Sequence, residues 1–354
     1  MKKKLFFLLF FLGNILSLYG TENKPLTDGP YVFYKDNLVQ VYNFDVSGQI
    51  SKNTFFLNSI NNLKVSSEDN KYSFYVQLHP NKRESSKIIA PEKIFAISDP
   101  HGNLTAFIKI LQQGGVIDNS LSWKFGKNHL AILGDVADRG HDVTVIYWLI
   151  YKLEQEAEIN GGKVHFILGN HEVMLLQNDL RYTDKKYITN ASSLSMSLPE
   201  LYGHDTELGR WLRNKNTIQI IGNTLFVHGG ISKEFAERYK DISIVNQLVS
   251  NNIGKAKRDM NEEELFIFSM KGPVWYRGLI YKEDKYFPAT KEDVDMILET
   301  YKVSRIVIGH TTLNDITSTY SGKVIAIDCE SKQYKHLSKG LLINGNNIII
   351  VEIK

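Results

Sequence analysis

The sequence predicts an α/β protein whose main body is preceded by a β-rich extension. Three observations predict it. From about residue 91 onward, short apolar runs of strand character alternate with helix-like stripes. Residues 30–90 instead carry β-branched and aromatic runs separated by turn signals. The composition, 43% apolar and 23% charged, is that of a folded globular chain and excludes a disordered, collagen-like or multi-pass membrane protein.

Taken in order, residues 1–20 come first. Lys2, Lys3 and Lys4 precede the unbroken apolar run Leu5–Leu12, which is shorter than the roughly 20 residues of a spanning helix. This reads as a secretory signal peptide; an uncleaved anchor is the competing reading. The expectation is an exported protein, periplasmic or secreted, with no stable membrane association once the leader is removed. Residues 21–90 form the extension. In it, YVFYKDNLVQVYNF places two strands around Lys35-Asp36-Asn37, and KYSFYVQLHP adds another. The body, residues 91–354, opens with Ile94–Ile97. A helical stripe then runs through Leu104, Phe107, Ile108 and Leu111, with Asn103 at its start and Gly114-Gly115 at its end. A second stripe passes through Val143, Ile146, Tyr147, Ile150 and Leu153 and stops at Gly161-Gly162. Further strands are placed at Leu130–Leu133, Val164–Leu168, Thr224–Val227, Arg305–Ile308 and Val324–Ile327. The stretch Asp179–Asp205 is polar and poorly periodic, and is expected to form a loop beside the site.

Charge and cysteine narrow the function. Lys and Arg number 42 and Asp and Glu 39, but three of the lysines lie in the acid-free leader. The mature chain is therefore neutral and gives no indication of a nucleic-acid partner. The single cysteine, Cys329, excludes an intramolecular disulfide and a cysteine-based zinc site, and reads as a buried thiol.

The turns at the strand ends carry the chemical information. Ile94–Ile97 runs into Ser98-Asp99-Pro100-His101-Gly102, and Leu130–Leu133 into Gly134-Asp135-Val136-Ala137-Asp138-Arg139-Gly140. Val164–Leu168 runs into Gly169-Asn170-His171-Glu172, Thr224–Val227 into His228-Gly229-Gly230, and Arg305–Ile308 into Gly309-His310-Thr311. Strand ends are where α/β scaffolds project side chains into a crevice. Imidazole with carboxylate suits divalent first-row metals, whereas calcium and magnesium favour all-oxygen shells. Taken singly, each motif has a plain structural reading, such as a capped turn for Asp-x-His or a helix start for Gly-Asn-His-Glu. Five in order on strand ends point to a metal site.

This ordered set resembles the calcineurin-like metallophosphoesterases, and within them the phosphoprotein-phosphatase branch. DTELGRWLRNKN (205–216) and GPVWYRG (272–278) resemble its bacterial Shewanella-like protein phosphatases. The resemblance spans about residues 91–330. It implies a β-sandwich flanked by helices around two first-row metal ions (manganese, iron or zinc). By the resemblance, Asp99 and His101 would bind one metal and Asp135 would bridge both. Asn170, His228 and His310 would complete the ligand set of the other metal. His171, oriented by Asp138, would protonate the leaving oxygen, and Arg139 and Arg277 would clamp the phosphate. Glu172 is read as a supporting hydrogen-bond acceptor or a first-turn charge. The first motif has Ser98 where eukaryotic relatives usually have glycine, and their C-terminal Ser-Ala-Pro-Asn-Tyr motif is absent.

The implied activity is hydrolysis of a phosphomonoester by a metal-bridging hydroxide. The implied substrates are phosphorylated proteins, on tyrosine or serine/threonine, or small phosphomonoesters. The alternative is a diadenosine tetraphosphatase-like nucleotide enzyme; those tend to lack the residue corresponding to Asp138. A non-catalytic binding protein should have lost ligands, and none is lost here. The sequence does not speak to oligomeric state.

Overall fold

The computed structural model describes residues 26–57, 59–60, 62–330 and 336–354. The expected leader, residues 1–20, lies outside them. The tight turn expected at Asp36-Asn37 joins β1 (Asp28–Lys35) to β2 (Leu38–Phe44) as an antiparallel hairpin. β3 (Ile50–Phe56) pairs on the far side of β2, and β4 (Leu63–Ser66) and β5 (Ser73–Val76) form a separate antiparallel pair. β6 (Lys87–Ile88) leaves the extension and joins a sheet of the body.

The body then alternates as its sequence pattern requires. β7 (Lys93–Ile97) leads to α1 (Leu104–Gln113), β8 (His129–Ile132) to α2 (Val143–Ile159), and β9 (Lys163–Phe166) to α3 (Asn170–Leu176). The Asn103 side chain caps α1 by accepting from the Ala106 N–H, as its position predicts. After α4 (Lys185–Ser193) and α5 (Glu207–Arg213) comes the hairpin of β10 (Ile218–Ile221) and β11 (Thr224–Val227). Helices α6 (Lys233–Arg238), α7 (Ile242–Asn252), α8 (Glu262–Ile267) and α9 (Lys291–Tyr301) precede β12 (Arg305–Ile308), β13 (Thr317–Thr319) and β14 (Val324–Ala326). The chain closes with the hairpin β15 (Lys339–Asn344) and β16 (Asn347–Glu352).

Two sheets build the body. One runs β16-β15-β7-β8-β9, the other β13-β14-β12-β11-β10-β6. Their facing sides meet in one apolar layer: Ile94, Ala96, Ala131, Leu133 and Ile167 come from the first, and Phe226, Val307 and Ile325 from the second. The period of two along each strand sends alternate residues into this layer and the others toward helices. α1 and α2 cover the first sheet, and α7 packs on β10. The fold is therefore the helix-flanked β-sandwich that the resemblance implies.

The extension shares the body's core. Tyr31, Val32 and Val39 are buried with residues of α2, and the Trp148 indole donates to the Pro30 carbonyl at 2.9 Å. The segment 179–205 departs from expectation. It is not an irregular loop but carries α4 and a 3₁₀ turn at Leu198–Tyr202. Tyr187, Asn190 and Ala191 form its buried face, and Asn190 exchanges hydrogen bonds with the main chain of Leu26 at 2.8 and 3.0 Å. A polar residue buried against a distant segment breaks the hydrophobic stripe by which a helix is recognised, so periodicity could not find this one.

Candidate active site

The five motif turns meet at one edge of the sandwich, three from the first sheet and two from the second. Their backbone is contorted. Asp99, His101, Asp135, Asp138, Arg139 and His310 all take left-handed φ angles between 42° and 69°. Each such non-glycine conformation costs on the order of 1 kcal/mol and persists only where surroundings impose it. At the Asp135 turn the group that holds it is Glu172. Its carboxylate accepts the backbone N–H groups of Asp135, Val136, Ala137 and Gly169 at 2.9–3.0 Å and the Tyr147 hydroxyl at 2.9 Å. The expected supporting acceptor is thus the pin of two turns at once. Gly134 and Gly169 let those turns touch: a Cβ on Gly134 would lie 2.3 Å from the Gly169 nitrogen.

Asp135 stands at the centre. Its Oδ2 lies 3.2 Å from His228 Nε2 and 3.8 Å from both His101 Nε2 and His171 Nε2. His101 Nδ1 is held on the Ala137 carbonyl at 2.9 Å and His228 Nδ1 on the Leu133 carbonyl at 2.5 Å, so both rings turn Nε2 inward. Asn170 Oδ1 sits 2.9 Å from His228 Nε2. Asp99 accepts the His310 N–H at 3.1 Å and the Ser98 hydroxyl. All six predicted ligands are buried. Four of them and His171 form two convergent groups that share Asp135: one with His101 and His171, the other with His228 and His310; Asp99 and Asn170 stand outside both.

Electrostatics show what the cluster lacks. Burial, then Asp328, pushes the Asp99 carboxyl well above the usual carboxylate range. Burial works the same way on Asp135, but His228 and His171 outweigh it and hold that carboxyl well below the range. His228 is raised to about 9, because Asp135 and Asp99 outweigh the lowering by burial. His310 Nε2 is buried with no hydrogen-bond partner, and so is one oxygen of Asp328. Buried donors of nitrogen and oxygen with open valences and excess carboxylate fit divalent cations.

Beside this cluster the His171 Nδ1 sits 2.6 Å from Asp138 Oδ2, and the Thr183 hydroxyl donates to Asp138 Oδ1 at 2.7 Å. Burial lowers the His171 pKa, but Asp135 and Asp138 together raise it above the ordinary histidine value. Arg139 is exposed at one side. Arg277 lies half-buried opposite, donating to the His310 carbonyl at 2.8 Å.

A family model described as calcineurin-like phosphoesterase matches residues 92–313. The chain is a calcineurin-like phosphoesterase. It is accordingly a metal-binding phosphoester hydrolase with phosphatase activity. Relatives within this family include an uncharacterised protein of Schizosaccharomyces pombe, 30% identical over 72% of this chain and 78% of the relative. Shewanella-like protein phosphatase 2 of Arabidopsis thaliana is 27% identical over 67% of this chain and 71% of its own length. Among solved structures, the cold-active protein-tyrosine phosphatase of a psychrophilic Shewanella species superposes with a TM-score of 0.82 at 32% identity, covering 92% of this chain and 96% of that one.

In this phosphoesterase three side chains reach the site that motif reading did not assign. Asp328 lies just beyond β14 and faces Asp99. Burial raises its carboxyl to about 6, and the Thr312 hydroxyl donates to it at 2.7 Å. The signal was present, since β14 is a sixth apolar strand ending in Asp. His336 lies 3.1 Å from Arg139 Nη1, and its ring is 4.8 Å from that of His101. Tyr182 lies at the rim, its ring 5.4 Å from His171. Neither belongs to a strand-end motif.

Proposed function

We propose that the chain hydrolyses phosphomonoesters on proteins, on tyrosine or serine/threonine, at a centre of two first-row metal ions. The observation that carries this is Asp135, set among three inward-facing imidazoles beside the His171–Asp138 pair. Asp99, His101, Asp135, Asn170, His228 and His310 would hold the metals. Bound there, they would supply an activated water nucleophile and neutralise charge on the phosphoryl oxygens. The chain's own groups do the rest. Asp138 takes the Nδ1–H of His171 and so fixes the ring, leaving Nε2–H free to protonate the departing oxygen. Asp138 beside the ring favours its protonated form. Arg139 and Arg277 offer guanidinium forks to the phosphoryl oxygens from two sides.

Protein substrates are supported by the names of the Arabidopsis relative, a protein phosphatase, and of the Shewanella structure, a protein-tyrosine phosphatase. The engagement of Asp138 with His171 favours this reading over a dinucleotide hydrolase. Elemental analysis of purified protein, with a phosphate-release panel of phosphopeptides and dinucleoside polyphosphates, tests it. Dinucleotide cleavage without phosphopeptide turnover would reverse the assignment. Export is part of the proposal and rests on the pattern of residues 1–20. Recovery of the protein only inside the cell, with Met1 and residues 1–20 intact, would refute it.

A further inference from the structure

Tyr182 combines properties that a surface tyrosine rarely has together. Its side of the site is rigid: the Arg139 N–H donates to the Tyr182 carbonyl at 3.0 Å, and the next residue, Thr183, holds Asp138. Two residues on, Asp184 caps α4 and lies 3.3 Å from His141. The buried Lys186 then ties the segment to the His141 carbonyl at 2.7 Å and to Glu68 of the extension at 3.0 Å. Yet Tyr182 is 49% exposed. Its ring lies 5.4 Å from the His171 ring, and the Arg139 guanidinium lies 5.7 Å from its centroid.

The place of the ring matters because His171 gives direction to the reaction. The oxygen that takes the His171 proton must lie at Nε2, so the group bonded to that oxygen leaves the centre on the His171 side. Tyr182 is the aromatic face there. The other rim aromatic, Trp275, sits 5.8 Å from His310, on the Arg277 side. An aryl leaving group can lie against Tyr182 in the offset or edge geometry that aromatic rings prefer. The methylene of a phosphoserine presents no flat surface to it. We propose that Tyr182 is the leaving-group wall of this site and gives it a preference for aryl over alkyl phosphomonoesters. This rests on the assignment of His171 as proton donor made above.

The test compares full-length metal-supplemented wild type with Tyr182→Phe and Tyr182→Leu. Each is assayed on one peptide in phosphotyrosine and phosphoserine forms. Binding of phenylphosphonate and methylphosphonate is measured by calorimetry. The leucine variant should lose about three- to tenfold in kcat/KM for phosphotyrosine, with a matching loss of phenylphosphonate affinity. Phosphoserine turnover and methylphosphonate binding should stay unchanged, and the phenylalanine variant should match wild type on all four. An equal fall on both esters, or no change on either, overturns the proposal. If the leucine variant fails to fold, Tyr182→Met, a second side chain without a ring, takes its place. Wild type that releases no phosphate from either peptide defeats the phosphatase reading instead, and the two phosphonate affinities then decide Tyr182 alone.

Discussion

Two groups of histidines lie in the same sandwich and differ in every respect except burial. Beyond the carboxyl ends of β7, β9, β11 and β12 stand His101, His171, His228 and His310, on turns of which several carry left-handed backbone. They crowd around one carboxylate, and one of their ring nitrogens has no partner. Within the strands, His129 at the start of β8 and His165 on β9 form a short chain with Glu84. His165 Nδ1 lies 2.8 Å from Glu84, and its Nε2 lies 3.1 Å from His129 Nδ1. Both rings sit on ordinary strand backbone. The lesson is that a buried imidazole alone says nothing about function. Open valences, strained backbone and surplus carboxylate together mark the reactive end.

The comparison is sharpest at its two carboxylates. Asp135→Asn removes the charge both metal groups share, and turnover on p-nitrophenyl phosphate should fall by about a thousandfold or more, with metal content falling too. Glu84→Gln should leave turnover and metal content near wild type and lower stability. A correctly folded Asp135→Asn enzyme with near-normal rate would erase the distinction between the ends.

Within the reactive end, His171→Asn separates proton transfer from metal holding. It should cost about a hundredfold to ten-thousandfold on a phosphopeptide. The loss should be much smaller on p-nitrophenyl phosphate, whose leaving group needs no proton. Metal content should be unchanged if His171 acts, as proposed, on the leaving oxygen. Equal losses on both substrates would assign His171 to the metal shell.

Legibility in the sequence divides along the same line. Asp99, His101, Asp135, Asn170, His228 and His310 stand out because each comes after an apolar strand and lies beside or near glycine, so local chain grammar identifies them. His171 and Asp138 are paired only through the resemblance, and the structure sets them 2.6 Å apart. Glu172 could be read as a helix first-turn acid, but its grip on the 135–137 amides depends on the approach of two turns 36 residues apart in sequence. His336 and Tyr182 are brought in by tertiary packing alone, whereas Asp328 closes a sixth apolar strand and is legible by the same strand-end pattern. The chain of His129, His165 and Glu84 was equally invisible, since each partner comes from a separate element.

Metal binding offers a thermodynamic comparison. A cation that binds only the folded site stabilises it by mass action, about 2.7 kcal/mol at a hundredfold excess over its dissociation constant. Adding manganese to chelator-treated wild type should raise the melting temperature by several degrees. The same addition should do nothing for Asp135→Asn, and should act on Glu84→Gln as on wild type. A metal-dependent shift that survives in Asp135→Asn would place the stabilising ion elsewhere.

The smallest effect tests the silent end. Burial first, then His165, lowers the His129 pKa to about 4. Its unfolded value is about 6.5, so between these values the unfolded chain binds a proton that the folded chain refuses. Stability therefore falls as pH drops from about 6.5 toward 4. Glu84 adds to the loss at lower pH. Burial raises its carboxyl, but His165 outweighs this and holds it below the ordinary value, so its contribution fades as pH falls through the folded pKa. His129→Asn keeps a polar partner for His165 and does not titrate. Urea unfolding at pH 7 and pH 5 should show an acid loss reduced by up to about 2 kcal/mol in this variant, with turnover at neutral pH unchanged. A variant that instead lost turnover while keeping its acid lability would mean that the two ends communicate through β8. The histidines at its amino end would then belong to the mechanism rather than to the scaffold.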